Sequence, residues 1–159
     1  MAQTVLQRAD PRTVTLTKTM AELLAMNEPR ITIAARIHGL DIAYDLGPGH
    51  PLLGRRMPDL DLETEEGTTR VYAFLRGAKP ILVNLGAPGS IDMAGWADCV
   101  RLVDARYAGE WDLPVLGRVQ APTAVLVRPD GYVAWVDPGA DSALNDALER
   151  WFGRPEAVE

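Results

Sequence analysis

The sequence predicts an α/β fold: a central mixed sheet completed by a β-hairpin and a C-terminal helix, with a short helical segment in front. Three observations carry this. Pro80 to Leu85 is a near-continuous apolar run bounded by proline and glycine, the pattern of a strand covered on both faces. Thr123–Val127 and Tyr132–Val136 flank Pro129-Asp130-Gly131, with proline at the first turn position and glycine where a positive φ is needed. Asp141 to Phe152 sets Leu144, Ala147, Leu148 and Trp151 on one helical face and stops at Gly153.

The remaining elements follow in chain order. Ala2, Val5, Leu6 and Ala9 read as one stripe at the end of a helix. Asp10-Pro11 is a cap followed by a proline at the first helical position. Leu16, Met20, Leu23 and Leu24, flanked by Ala21, then share a face, although Thr13, Thr15, Thr17 and Thr19 weaken the start of that helix. Asn27-Glu28-Pro29 repeats the cap-then-proline signal, Ile33, Ala34 and Ile37 form the next stripe, and Gly39 ends it. Asp45 to Pro58 is loop. Leu60 and Leu62 predict a short strand, Thr68 to Arg76 a helix closed by Gly77, and Gly86 to Gly95 a loop or very short helix. Val100 to Tyr107 is read as a strand and Trp111 to Val119 as irregular. The domain reading is therefore a helical segment over 1–45, an α/β domain over 46–153 and a disordered tail over 154–159.

Composition narrows the function. The chain has 159 residues, 47% of them hydrophobic and 24% charged, as in an ordinary globular protein. Its net charge of −6, with no basic stripe, argues against nucleic acid and against anionic membrane surfaces. No apolar run approaches the roughly 20 residues of a membrane-spanning helix. The N-terminal residues lack a signal peptide's apolar centre, and the single Cys99 excludes an internal disulfide. A cytoplasmic location is the expectation.

The stretch His50-Pro-Leu-Leu-Gly-Arg-Arg-Met-Pro-Asp-Leu-Asp-Leu62 joins the helical half to the α/β half. This wording resembles the FAD-dependent aromatic (polyketide-type) hydroxylases related to p-hydroxybenzoate hydroxylase. In their long members a similar run leads from the flavin-binding body into a C-terminal thioredoxin-like domain. Ala2-Gln3-Thr4, and Glu22-Leu23-Leu24 through Gly39-Leu40-Asp41-Ile42-Ala43-Tyr44-Asp45, look like the family's last helices before that junction. Leu113 to Gly117, Arg128 to Trp135 and Arg150 to Gly153 look like its C-terminal domain. The element order after Leu60 is that of a thioredoxin-like fold, and this resemblance implies a cis Ala121–Pro122 bond. It also implies a parent enzyme that uses FAD and NAD(P)H to hydroxylate an aromatic ring.

The residues that would carry chemistry are missing. A thioredoxin-like redox site needs a cysteine at the helix start after the central strand, but Leu85 to Asp92 holds none. Cys99, further on, reads as a buried, inert thiol. Gly47-Pro48-Gly49 lacks the third glycine and the preceding strand of a dinucleotide loop. His38 and His50 sit on different elements without metal-ligand spacing, His38 at a helix end and His50 as a loop anchor. Ser90 has no neighbouring base. Asp59, Asp61, Glu63, Glu65 and Glu66 read as the solvated face of an edge strand. Arg55-Arg56 have carboxylates of the helical segment or of a further module as candidate partners. Trp96, Trp111, Trp135 and Trp151 read as core or interface, with a stacking pocket for an aromatic ligand as the alternative.

These readings name no catalytic, cofactor-binding or metal-binding residue. The leading expectation is a non-catalytic accessory domain of an aromatic-ring monooxygenase, self-associating through Leu16, Met20, Leu23 and Leu24 and through Ile33, Ile37 and Leu40. The alternatives are a free-standing thioredoxin-like redox protein and a module that recruits a separate flavoenzyme.

Overall fold

The computed structural model describes residues 10–93, 95–113, 115–137 and 143–154. Its contacts divide the chain into two compact units, Met1–Asp41 and Ile42–Glu159. The stripe from Ala2 to Ala9, the first turn of the C-terminal helix at Asp141 and Ser142, and the tail from 155 to 159 lie outside the described residues.

The first unit is a pair of helices, α1 (Pro11–Ala25) and α2 (Asn27–His38). Asp10 caps α1 as its sequence predicts. One carboxylate oxygen accepts the amides of Arg12 and Thr13 at 3.0 and 3.1 Å, and the other accepts the Thr13 hydroxyl at 2.6 Å. The early threonines are accommodated by back-bonding: the Thr15 and Thr17 hydroxyls donate to the carbonyls of Pro11 and Thr13. At α2 the cap differs from expectation. Met26, extended at φ −80° and ψ 143°, takes the cap position without a side-chain acceptor. Asn27 is already helical, and its side-chain oxygen accepts from Arg30 instead. Pro29 still falls in the first turn, where its missing N–H costs nothing. Gly39, at φ 66°, closes α2, and the Leu40 amide donates back to the Ala35 carbonyl at 2.8 Å. Leu16, Leu23, Leu24 and Ile37 are exposed, Ile37 at 73%.

The second unit is built on a four-stranded sheet of order β4-β3-β7-β8. A hairpin comes first, β1 (Asp61–Thr64) with β2 (Gly67–Arg70). Residues 68–70 were expected to be helical. They pair with β1 because Thr68 and Thr69 are β-branched and Gly67 makes the turn at φ 116°. Helix begins only at α3 (Val71–Phe74), followed by a 3₁₀ turn over Leu75–Gly77. Strand β3 (Ile81–Asn84) is buried at every position, as the apolar run predicts. It runs parallel to β4 (Arg101–Asp104) and antiparallel to β7 (Ala124–Val127). Among the described residues the β3–β4 crossover contains only turns where parallel pairs usually carry a helix. The stretch read as irregular holds a small hairpin, β5 (Asp112–Leu113) with β6 (Gly117–Arg118).

The predicted turn joins β7 to β8 (Val133–Val136), with Gly131 at φ 85° and the Gly131 amide donating to the Arg128 carbonyl. Helix α4 (Ala143–Phe152) places Ala147 and Leu148 in a core with Leu82, Leu126 and Ala134. A second core gathers Leu52, Met57, Leu62, Val71, Val83 and Val125. The Ala121–Pro122 bond, expected to be cis, is trans. Trans is the ordinary state of such a bond by about 0.5–1 kcal/mol, and nothing recorded around it selects the other isomer.

Candidate functional site

The corner after β3 lies beside the end of its parallel neighbour β4. Here it is filled by Asn84, 2% exposed at the strand's last position. Its amide nitrogen donates to Asp104 Oδ1 at 2.7 Å, to the Ala87 carbonyl at 2.9 Å and to the Ser90 hydroxyl at 3.3 Å. Its amide oxygen accepts the Gly86 N–H at 3.0 Å. Asp104, at the end of the parallel neighbour β4, accepts the Gly89 N–H with its other oxygen at 3.2 Å. The 86–90 loop is thus pinned by polar groups that satisfy one another. Ser90 is tied into this network through the Asn84 amide.

Cys99 was read as buried, but the structure exposes it. It follows Trp96 in a surface turn, so Trp96 and not the thiol enters the core, and the thiol donates to the Trp96 carbonyl at 3.5 Å. His50 anchors its loop: Nδ1 accepts the Leu52 amide and Nε2 donates to the Gln120 carbonyl at 2.8 Å, so both ring nitrogens are used. His38 lies in the exposed last turn of α2.

The acidic run divides its work. Asp59 accepts the Tyr72 amide and pairs with Arg70 at 2.9 Å, while Asp61, Glu63, Glu65 and Glu66 are exposed. Among the described residues no three acidic, histidine or cysteine side chains form a cluster able to hold a metal ion. Gly47-Pro48-Gly49 leads into turns rather than a helix, so it offers no helix N-terminus to a phosphate.

Two further features stand out: the first lies where two of the four tryptophans offer the stacking pocket of the alternative reading, and the second is not signalled by the sequence. One is a cleft of about 310 Å³ between the 46–53 loop, β8 and α4, lined by His50, Trp135, Asp146, Arg150 and Trp151 among others. Trp96 and Trp111 are core, whereas Trp135 and Trp151 wall this cleft and are half-buried. The other is a ladder of cations and rings. Arg56 lies 5.5 Å from the Tyr132 ring centre, Tyr132 meets Tyr44 edge-on at 4.9 Å, and Arg128 lies 5.5 Å from Tyr44 and 4.5 Å from Trp151. Arg150 approaches Trp151 at 6.0 Å. Arg128 pairs with Asp130. Arg55 and Arg56 pair with no carboxylate among the described residues, and Arg55 Nη1 is buried without a hydrogen-bond partner. Burial raises the Tyr72 phenol above its ordinary pKa; the charge of Arg56 opposes this and that of Asp59 adds to it.

A family model described as "Aromatic-ring hydroxylase, C-terminal" matches residues 50–155. The chain is 42% identical over 159 residues to a 12-dehydrotetracycline 5-monooxygenase/anhydrotetracycline 6-monooxygenase of Streptomyces rimosus, covering 97% of this chain and 31% of that protein. A dialkyldecalin synthase of Streptomyces rugosporus is 34% identical, over 96% of this chain and 27% of its own length. Among solved structures, an aromatic hydroxylase from angucycline biosynthesis superposes with a TM-score of 0.75 at 35% identity, covering 97% of this chain and 32% of the other. The chain therefore spans about a third of the length of the relatives it matches.

Proposed function

Because the chain belongs to the family of C-terminal domains of aromatic-ring hydroxylases, we propose that it is a non-catalytic structural domain of an FAD-dependent aromatic-ring monooxygenase. The observation that carries this is the corner after β3, where Asn84 and Asp104 bind one another and the 86–90 backbone and so hold the loop in place. That corner carries no cysteine, and its buried polar side chain is engaged in holding the loop, which suits structural work better than a redox reaction. The pairing order β4-β3-β7-β8, with a parallel pair joined to an antiparallel hairpin, supports a thioredoxin-like scaffold whose redox site is gone. Relatives named for different activities, a monooxygenase and a decalin synthase, both match this stretch. A part common to both suits a structural role better than the choice of reaction.

The whole enzyme would use FAD and NAD(P)H in the cytoplasm. The described residues do not fit a flavin: the one glycine-proline-glycine loop precedes no helix, so no step of the chemistry is assigned to this chain. The domain's task is to stabilise the flavin-bearing body. The exposed Leu16, Leu23, Leu24 and Ile37 support self-association through α1 and α2.

Thermal unfolding of a flavin-bearing body, followed by flavin fluorescence, tests the reading. The body is the part of the Streptomyces rimosus monooxygenase outside the matched 31%, made as a separate chain. Added in excess, the 159-residue chain should raise the temperature of flavin release. An unchanged release temperature contradicts the proposal.

A further inference from the structure

We infer that the ladder Arg56–Tyr132–Tyr44–Arg128–Trp151–Arg150 is the surface on which this domain receives carboxylates of the flavin-bearing body. This rests on the structural-domain reading above and names the surface through which it acts. The ladder concentrates positive charge on a chain whose net charge is −6. Three guanidinium groups lie against three rings, two of which, Tyr132 and Tyr44, meet directly, and Asp130, bound to Arg128, is the one carboxylate with which any of the three arginines pairs among the described residues. Arg56 and Arg150 are exposed and make no ion pair there.

The chemistry of the surface selects the partner. A guanidinium held against a ring loses little freedom when a carboxylate arrives, so the exposed Arg56 and Arg150 are pre-organised for acidic side chains. Tyr44 is 46% exposed within the ladder and Ile42, just before it in sequence, is 47% exposed. Arginine mixed with exposed aromatic and aliphatic groups is the composition of a protein interface. A nucleic acid would be repelled by the chain's overall charge. About two thirds of the relatives' own length lies outside what this chain matches, and that remainder is the occupant to which the proposal commits.

The test is titration calorimetry of the 159-residue chain against the separately made flavin-bearing body of the Streptomyces rimosus relative. The double variant Arg56→Gln/Arg150→Gln should bind about tenfold or more weakly. Arg118→Gln, whose guanidinium pairs with Glu110 at the β5–β6 hairpin and lies on no ring of the ladder, should bind like the parent chain. Thermal unfolding of each variant confirms that the fold is kept. Equal binding by all three chains overturns the ladder as the docking surface and leaves the structural-domain reading standing. Absence of binding by the parent chain overturns both.

Discussion

Asn84 donates to Asp104 across the ends of two parallel strands at 2.7 Å, and that bond closes the corner after β3. Each group satisfies the other, and both hold loop amides, those of Gly86 and Gly89. The pair therefore does structural work at a position suited to chemistry.

Asn84→Leu leaves the Gly86 N–H without its acceptor and should destabilise the fold by about 2 kcal/mol in urea unfolding. Asn84→Asp sets two carboxylates face to face. It should be more destabilising at neutral pH than near pH 4, roughly where carboxylates begin to share protons. A neutral effect of both variants would mean that the corner does not hold the loop.

Much of this architecture is legible in the sequence, for identifiable reasons. Pro80–Leu85 announces a central strand because both of its faces are buried, and Asp10-Pro11 announces a helix start because cap and proline act within one turn. Residues 68–70 mislead because their state is decided by pairing with 61–64 rather than by local propensity. Cys99 misleads because an apolar neighbour, Val100, suggests burial that the turn does not provide. The ladder was invisible because Tyr44, Arg56, Arg128 and Trp151 are distant in sequence and meet only once the sheet has formed.

Gly54 holds the junction to the sheet. At φ +73° its amide donates to the Val133 carbonyl, its carbonyl accepts from Tyr44, and an added Cβ would press into the Tyr44 carbonyl oxygen. Gly54→Ala should cost about 3 kcal/mol or more, because both the backbone conformation and the close approach exclude a side chain. Chemical denaturation measures this, and a loss within a few tenths of a kcal/mol, roughly that of an unconstrained surface site, would count against the close approach.

Tyr72 donates its hydroxyl to the Met57 carbonyl at 2.7 Å. Its pKa is raised by burial, so the folded state holds the proton longer than the unfolded chain, which ionises near about pH 10. The stability it contributes is complete below that pH and is lost as pH rises through the folded value. Tyr72→Phe should lose about 1 kcal/mol at neutral pH and show a shallower alkaline decline. Thermal unfolding from pH 8 to 11, a window of roughly one unit or more either side of the free phenol's value, reads both effects.

Asp10 has the opposite sign. Its pKa is lowered, chiefly by the hydrogen bond from the Thr13 side chain and then by that from the Thr13 backbone. Its support for α1 is present above the unfolded value, about 3.9, and is lost as pH falls through the lower folded value. Asp10→Asn keeps a capping oxygen and should remove that dependence. The amide shifts of Arg12 and Thr13 report it by NMR, and identical acid titrations of the two proteins would rule it out.

On the function proposed above, the chain shapes and supports a flavin-bearing body and does not itself hold the redox cofactor. The visible absorbance of the purified 159-residue chain, after incubation with FAD and desalting, tests this most directly. The predicted result is a colourless protein; a flavin band at stoichiometric intensity would contradict the account.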